Sequence, residues 1–143
     1  MMRETGIDAS RVRLANAIPF RPIERSRSGQ FRNRRPTAKE LRAYGGPVLA
    51  DITKVQPKIV GALGNAAGML FGASMPLQRS RRRTFQFQNI PVRITYHPGF
   101  VLRFGGRGSA LWRSAVRDLR SFWSEAQQGH GMAESPRRRK VDA

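Results

Sequence analysis

Three short apolar runs limit what this chain can fold into. Val12 to Ile18 (VRLANAI), Lys58 to Gly64 (KIVGALG) and Pro91 to His97 (PVRITYH) each suit one buried strand and are too short for a packed helix. Pro19 closes the first run, Gly64 the second and Pro98-Gly99 the third. Helical patterns alternate with them. Thr37 followed by Glu40 forms a T-x-x-E capping box, so a helix is predicted to start there. Gly45, Gly46 and Pro47 interrupt it, and Val48, Leu49, Ile52 and Val55 resume helical spacing up to Pro57. Asn65 is a suitable N-cap for a small-residue helix through Gly72. Ser109 is suited to cap a last helix with Leu111, Trp112, Ala115, Val116, Leu119, Phe122 and Trp123 on one face. Phe85 and Phe87 alternate with Gln86 and Gln88, the pattern of a short half-exposed strand. Strands alternating with helices predict an α/β fold, a parallel sheet flanked by helices. Ligand sites in such sheets lie beyond the carboxyl ends of the strands, here Ile18, Gly64 and His97.

The segments between these elements carry charge. Twenty-seven Lys and Arg oppose nine Asp and Glu, a formal net charge of +18. Such an excess opposes compaction and calls for a polyanionic partner. Most of it is Arg, whose planar fork suits bidentate phosphate contact, so nucleic acid is the expected partner. A membrane surface is not, because no long basic amphipathic helix is evident. Phe20 to Pro36 (FRPIERSRSGQFRNRRP) is predicted to be a long exposed loop, and Arg79, Arg81, Arg82 and Arg83 form a second basic loop. A domain over 1–126 is expected, followed by a disordered basic tail over 127–143 that includes RRRK. The chain has no cysteine, which excludes disulfides and Cys-based metal sites within it, and His97 and His130 make no plausible metal site. Met1 to Ser10 holds no signal-type apolar stretch, and no run approaches the ~18 apolar residues of a membrane span. A cytoplasmic, nucleoid-associated protein is expected.

His97 stands in TYHPGFVLR, at the end of a buried strand with Arg103 six positions on. A histidine there is often purely structural. Its surroundings, however, resemble the HPS-x-LLR motif of the uracil-DNA glycosylases, particularly the family 4 branch. QPKIVGALGNAAGMLFG is similar to that family's preceding strand and helix, and GSALWRSAVRDLRSFW to its closing helix. NRRPTAKEL resembles the family's NRxPTxEE junction, LANAIPFRP its TNxVKCRP segment, and RETGIDASRV its short helix and turn. The likeness runs in order from Arg3 to about Trp123. It implies the three-layer glycosylase sheet and cleavage of the N-glycosidic bond of deoxyuridine in base-excision repair, with the target base flipped out of DNA. In that role Asn16 reads the base, its amide matching uracil N3–H and O4 where cytosine presents the reverse. His97 donates to uracil O2 as negative charge grows there. Phe100, Val101 or Leu102 wedges the base stack, and Arg103 holds a flanking phosphate. Arg34, Arg35, Arg79, Arg81, Arg82 and Arg83 are the further expected DNA contacts.

The likeness breaks in two places. Family 4 members hold an iron–sulfur cluster through four cysteines, and motif alignment puts Phe20 and Tyr44 at two of those positions. An apolar plug and no cofactor are expected. The RNRRPT stretch lacks the extra histidine of relatives that trap DNA covalently, so trapping is not expected. The family also begins with a strand and a GEAPG-type motif that supplies a carboxylate near the hydrolytic water. The likeness here starts after them, and Asp8, Glu24, Glu40 and Glu125 lie in other settings. The expectation is a domain missing its first strand, either a fragment or one that pairs with such a segment. Two alternatives remain open: a non-catalytic Arg-rich nucleic-acid-binding protein on the same scaffold, and a structural RNA-binding protein.

Overall fold

A computed structural model describes residues 1–74 and 76–129. After α1 (Met2–Thr5) the chain makes one 3-10 turn at Ala9–Arg11, with Asp8 as its side-chain cap. A hairpin of β1 (Ile23–Arg25) and β2 (Phe31–Asn33) follows, then α2 (Ala38–Tyr44) and α3 (Gly46–Val55). β3 (Val60–Leu63) leads directly into α4 (Gly64–Leu70), and α5 (Leu77–Ser80) precedes β4 (Thr84–Phe87) and β5 (Ile90–Thr95). α6 (Pro98–Phe104) and α7 (Ala110–Gln128) complete the described chain.

The architecture is α/β, but its main sheet is mixed. The order is β3-β5-β4, with β3 parallel to β5 and β4 antiparallel to it. Gln88 and Asn89 both take positive φ, 49° and 65°, the two-residue turn whose twist suits a hairpin. That turn joins β4 to β5 as neighbours, where the alternation of Phe85 and Phe87 had shown a strand without its partner. Pro91 faces Gln86 on β4, and pairing with β3 begins only at Val92, so its missing N–H falls outside the parallel ladder.

Helices cover both faces of this sheet. On one, Ala62, Val92 and Ile94 are buried against Ala67, Phe71 and Leu77, and a side chain at Gly68 would meet Ile94 at 3.0 Å. Burying a side chain such as Ile94 contributes about 1.5–3 kcal/mol. On the other face α7 lies across the strands. Phe122 packs over Gly61, and Glu125 and Asp118 bond to Arg93 and Thr95. A second cluster, Tyr96, Val101, Trp112, Ala115 and Val116, joins the end of β5 to α6 and α7. Ser109 caps α7 through the Trp112 N–H, as its position suggested. Trp112 also donates from Nε1 to Glu4 at 2.7 Å, which ties α1 to α7.

Four expectations are corrected. Val12 to Ile18 forms no strand: Arg13 reaches out to Asp51 on α3 at 2.6 and 2.8 Å, Leu14 is 77% exposed, and only Ile18 is buried. The run belongs to neither sheet among the described residues. The long loop from Phe20 to Pro36 contains the β1–β2 hairpin. Asn65 is not a cap, because α4 starts at Gly64 straight from Leu63. The segment after His97 forms α6. α7 continues to Gln128, past the expected boundary at 126, and the rest of the expected tail, 130–143, lies outside the described residues. Among the described residues no helix is long and apolar enough to cross a membrane.

The capping box at the start of α2 is formed in both directions. Thr37 Oγ1 accepts from the Glu40 N–H, and Glu40 accepts from the Thr37 N–H. Arg34 adds a forked contact to the Glu40 carboxylate at 2.8 and 2.6 Å. Hydrogen bonds from Arg34 and then from the Thr37 backbone hold the Glu40 carboxyl down from 4.5 to about 2. A depressed carboxyl stabilises the fold fully above its unfolded value, and loses that contribution as pH falls through its folded one. The thermal midpoint should therefore fall between pH 4.5 and about 2 more steeply in the natural chain than in Glu40→Gln. Parallel melting profiles for the two proteins across that window would overturn this account.

Candidate active site

The site grows from the parallel pair. Leu63 on β3 lies level with Thr95 on β5, so the chain leaves both strands at the same edge of the sheet. Gly64 follows one strand and His97 the other. Gly64 has φ 86°, and a Cβ there would lie 3.0 Å from the His97 Cβ. Only glycine lets the two exits approach this closely.

His97 is exposed and serves as the N-cap of α6, with Pro98 in the first turn. Its Nδ1 accepts from the Gly99 N–H at 3.0 Å. A ring nitrogen that accepts carries no proton in the neutral imidazole, so Nε2 does, and it is the outward donor. Gly99 has its own steric reason, since a Cβ there would stand 3.2 Å from Nδ1. The sequence thus sets both the position and the tautomer of this histidine.

Beneath His97 lies a polar network that sequence reasoning missed. Arg81 donates from Nε to Asp118 Oδ2 at 2.7 Å, from Nη1 to the Tyr96 hydroxyl at 3.0 Å and from Nη2 to Ser114 Oγ at 3.1 Å. Thr95 donates to the same Asp118 oxygen at 2.5 Å. The guanidinium carbon is 4.2 Å from the centre of the Tyr96 ring, a cation–π contact. Burial lowers the Arg81 pKa, but the bonds to Asp118 and the Tyr96 interaction outweigh it and raise the value overall. Arg81 was expected to touch DNA; all three of its nitrogens are engaged inside the protein instead. Arg34 is also held internally, by Glu40.

The other expected contacts are exposed. Arg79 on α5, Arg82 and Arg83 after it, Arg103 on α6 and Arg35 before α2 form no ion pair among the described residues. Phe100 is 39% exposed, stacked against Tyr96 with ring centres 6.0 Å apart. It also touches Phe104, a further exposed ring one turn along α6. The i, i+4 spacing of Phe100 and Phe104 was the signal for that ladder. Leu102 is exposed, whereas Val101 is fully buried and cannot wedge a base stack. Asn16 sits exposed in the irregular segment before Ile18 and makes no hydrogen bond to another described residue. The structure records no contact between Asn16 and His97. Two surface clefts, one lined by Leu41, Leu49 and Met69 and one by Glu4, Trp112 and Arg117, include neither residue.

Each described carboxylate is already engaged. Glu4, Glu24, Glu40, Asp51, Asp118 and Glu125 each pair with an arginine, and Asp8 caps the 3-10 turn. Phe20 and Tyr44 meet edge-on with ring centres 5.0 Å apart.

Residues 1–120 match the model of the uracil DNA glycosylase superfamily. The chain is also 30% identical over 122 residues to the type-4 uracil-DNA glycosylase of Thermotoga maritima. That match covers 83% of this chain and 58% of the relative, so the chain spans little more than half of the relative's length. The iron–sulfur cluster that the type-4 likeness implies does not fit the residues present: a cluster needs thiolates, and the chain has none.

Two outcomes follow from this geometry. Arg81→Ala should lower stability by about 1–3 kcal/mol in thermal or urea denaturation, because Asp118 loses its partner. Arg79→Ala, Arg82→Ala and Arg83→Ala should leave it unchanged. Equal effects at all four positions would refute the separate role of Arg81. Metal analysis of the purified chain should find no stoichiometric iron, and its presence would contradict the aromatic plug.

Proposed function

The chain belongs to the uracil-DNA glycosylase superfamily, and we propose that it recognises uracil in DNA and promotes its excision, with Asn16 reading the base and His97 stabilising the leaving group. One observation carries this reading. His97 stands at the carboxyl end of β5, inside the HPGFVLR motif, with Nδ1 occupied by Gly99 so that a proton on Nε2 points outward. Breaking the N-glycosidic bond sends electrons into the uracil ring, and charge accumulates on O2. A neutral imidazole already oriented as a donor stabilises that charge without reorganising. Asn16 offers a carbonyl to uracil N3–H and an amide N–H to O4, and cytosine would leave both mispaired. Phe100 and Leu102 supply exposed apolar surface to fill the space of a flipped base, and Arg79, Arg82, Arg83, Arg103 and Arg35 are placed to hold phosphates.

A second reading is binding without chemistry. It is favoured by the arginine pairing of the carboxylates, because a water-activating base needs a free carboxylate and none of the described ones is free. General-base assistance is worth about 10²–10⁴-fold in rate. Excision by this chain should accordingly be at least ~100-fold slower than by the Thermotoga maritima relative assayed beside it.

The test joins binding to alkaline cleavage of a uracil-containing oligonucleotide. The chain should bind that strand more tightly than its cytosine counterpart, and Asn16→Ala should abolish the difference. Asn16→Asp should shift the preference toward cytosine. His97→Ala should lower any measured excision by about 10²–10³-fold while leaving binding nearly intact. Equal binding of uracil and cytosine strands would sink the assignment of Asn16. Excision indifferent to His97→Ala would sink that of His97.

A further inference from the structure

The β1–β2 hairpin is a sheet of two strands that no third strand joins. Isolated two-stranded hairpins are marginal in water, so this one needs other support. Its turn is closed by Gly29 N–H to Ser26 O at 2.9 Å and Ser26 N–H to Gln30 O at 2.7 Å, with Gly29 at φ 83°. At its base the Arg34 N–H donates to Pro22 O at 3.0 Å, and the Arg34 side chain forks onto Glu40 in the α2 capping box. The hairpin is therefore an arm fixed at its root, with its faces free.

Those faces differ. Glu24 lies opposite Arg32, and the two neutralise each other at 2.7 Å. On the reverse face Arg25 lies opposite Phe31 and Ile23 opposite Asn33. Phe31 is 71% exposed and Ile23 53%. Arg25 is held along the turn by its Nε bond to Gly29 O at 3.2 Å. Arg21, Arg27 and Arg35 flank this face, exposed and without an ion pair among the described residues. An exposed aromatic ring set among unneutralised guanidinium groups matches one class of partner well: a strand of alternating phosphates and unpaired bases. Bases stack on such rings whatever their sequence, and the phosphates answer the arginines.

We propose that the β1–β2 hairpin grips single-stranded DNA beside the excision site, with Phe31 stacked on an unpaired base and Arg25 and Arg27 on the adjoining phosphates. This rests on the reading of the chain as a DNA-acting protein, but it needs neither Asn16 nor His97. It gives the protein a sequence-independent hold on the strand, separate from recognition of the lesion.

The test uses the full chain and a uracil-free oligothymidine, with binding followed by fluorescence anisotropy over a range of salt. Phe31→Ala should weaken binding about tenfold, and Phe31→Trp should restore it, with the new indole quenched by the bound strand. The pair Arg25→Ala, Arg27→Ala should reduce the slope of log K against log salt by about 1.4, or roughly 0.7 for each phosphate lost. Because Phe31 is exposed, its variants should melt with the natural chain. Unchanged affinity in Phe31→Ala, or tighter binding of duplex DNA, RNA or an acidic peptide that depends on Phe31, would overturn the proposal and leave the excision reading standing. A loss of uracil preference with hairpin binding intact would do the reverse.

Discussion

The contact between Arg81 and Asp118 is the joint on which the rest of this fold depends. Three separate parts of the chain meet there: the turn after α5, the last residues of β5, and the middle of α7. Asp118 takes hydrogen bonds from both Arg81 and Thr95, and Arg81 steadies the Tyr96 hydroxyl and ring. His97 is the next residue. The imidazole itself is oriented by the Gly99 N–H on Nδ1, and the absence of a side chain at Gly64 and Gly99 leaves it room.

The same economy runs through the molecule. A chain with a formal charge of +18 has few anions available for internal use, and each described one is taken by an arginine or a cap. The cations left over are displayed on α5, α6 and the β1–β2 arm. Their mutual repulsion opposes compaction, and a polyanion relieves it. The proposed nucleic-acid binding and stability would therefore be linked, with the bound strand supplying the missing counterions.

Local grammar was readable from the sequence, and long-range partnership was not. The Thr37–Glu40 box, the Ser109 cap and the apolar face of α7 are decided within a few residues, and each was legible. So was the place of His97, because a strand followed by Pro98-Gly99 can only stop. Phe20 and Tyr44, which motif spacing paired, touch edge-on, with both rings partly exposed. Val12 to Ile18 misled because its apolar content suits a strand, yet most of the run is exposed and only Ile18 is buried. The β4–β5 turn was hidden because Gln88 and Asn89 carry no glycine to announce positive φ. Arg81 was indistinguishable from Arg79, Arg82 and Arg83, since its partners lie 15, 33 and 37 positions away.

The edge-on contact of Phe20 with Tyr44 has a consequence for how such a domain lives in a cell. An aromatic pair of this kind contributes about 0.5–1.5 kcal/mol, far less than a metal cross-link, and the segment leans also on buried Ile18 and Pro22. In exchange, the joint is a contact between two aromatic rings, with no metal–ligand bond in it. It does not wait for a metal to be delivered before the chain can finish folding, and it contains no thiolate to be oxidised. A protein assembled this way matures at the pace of its own packing.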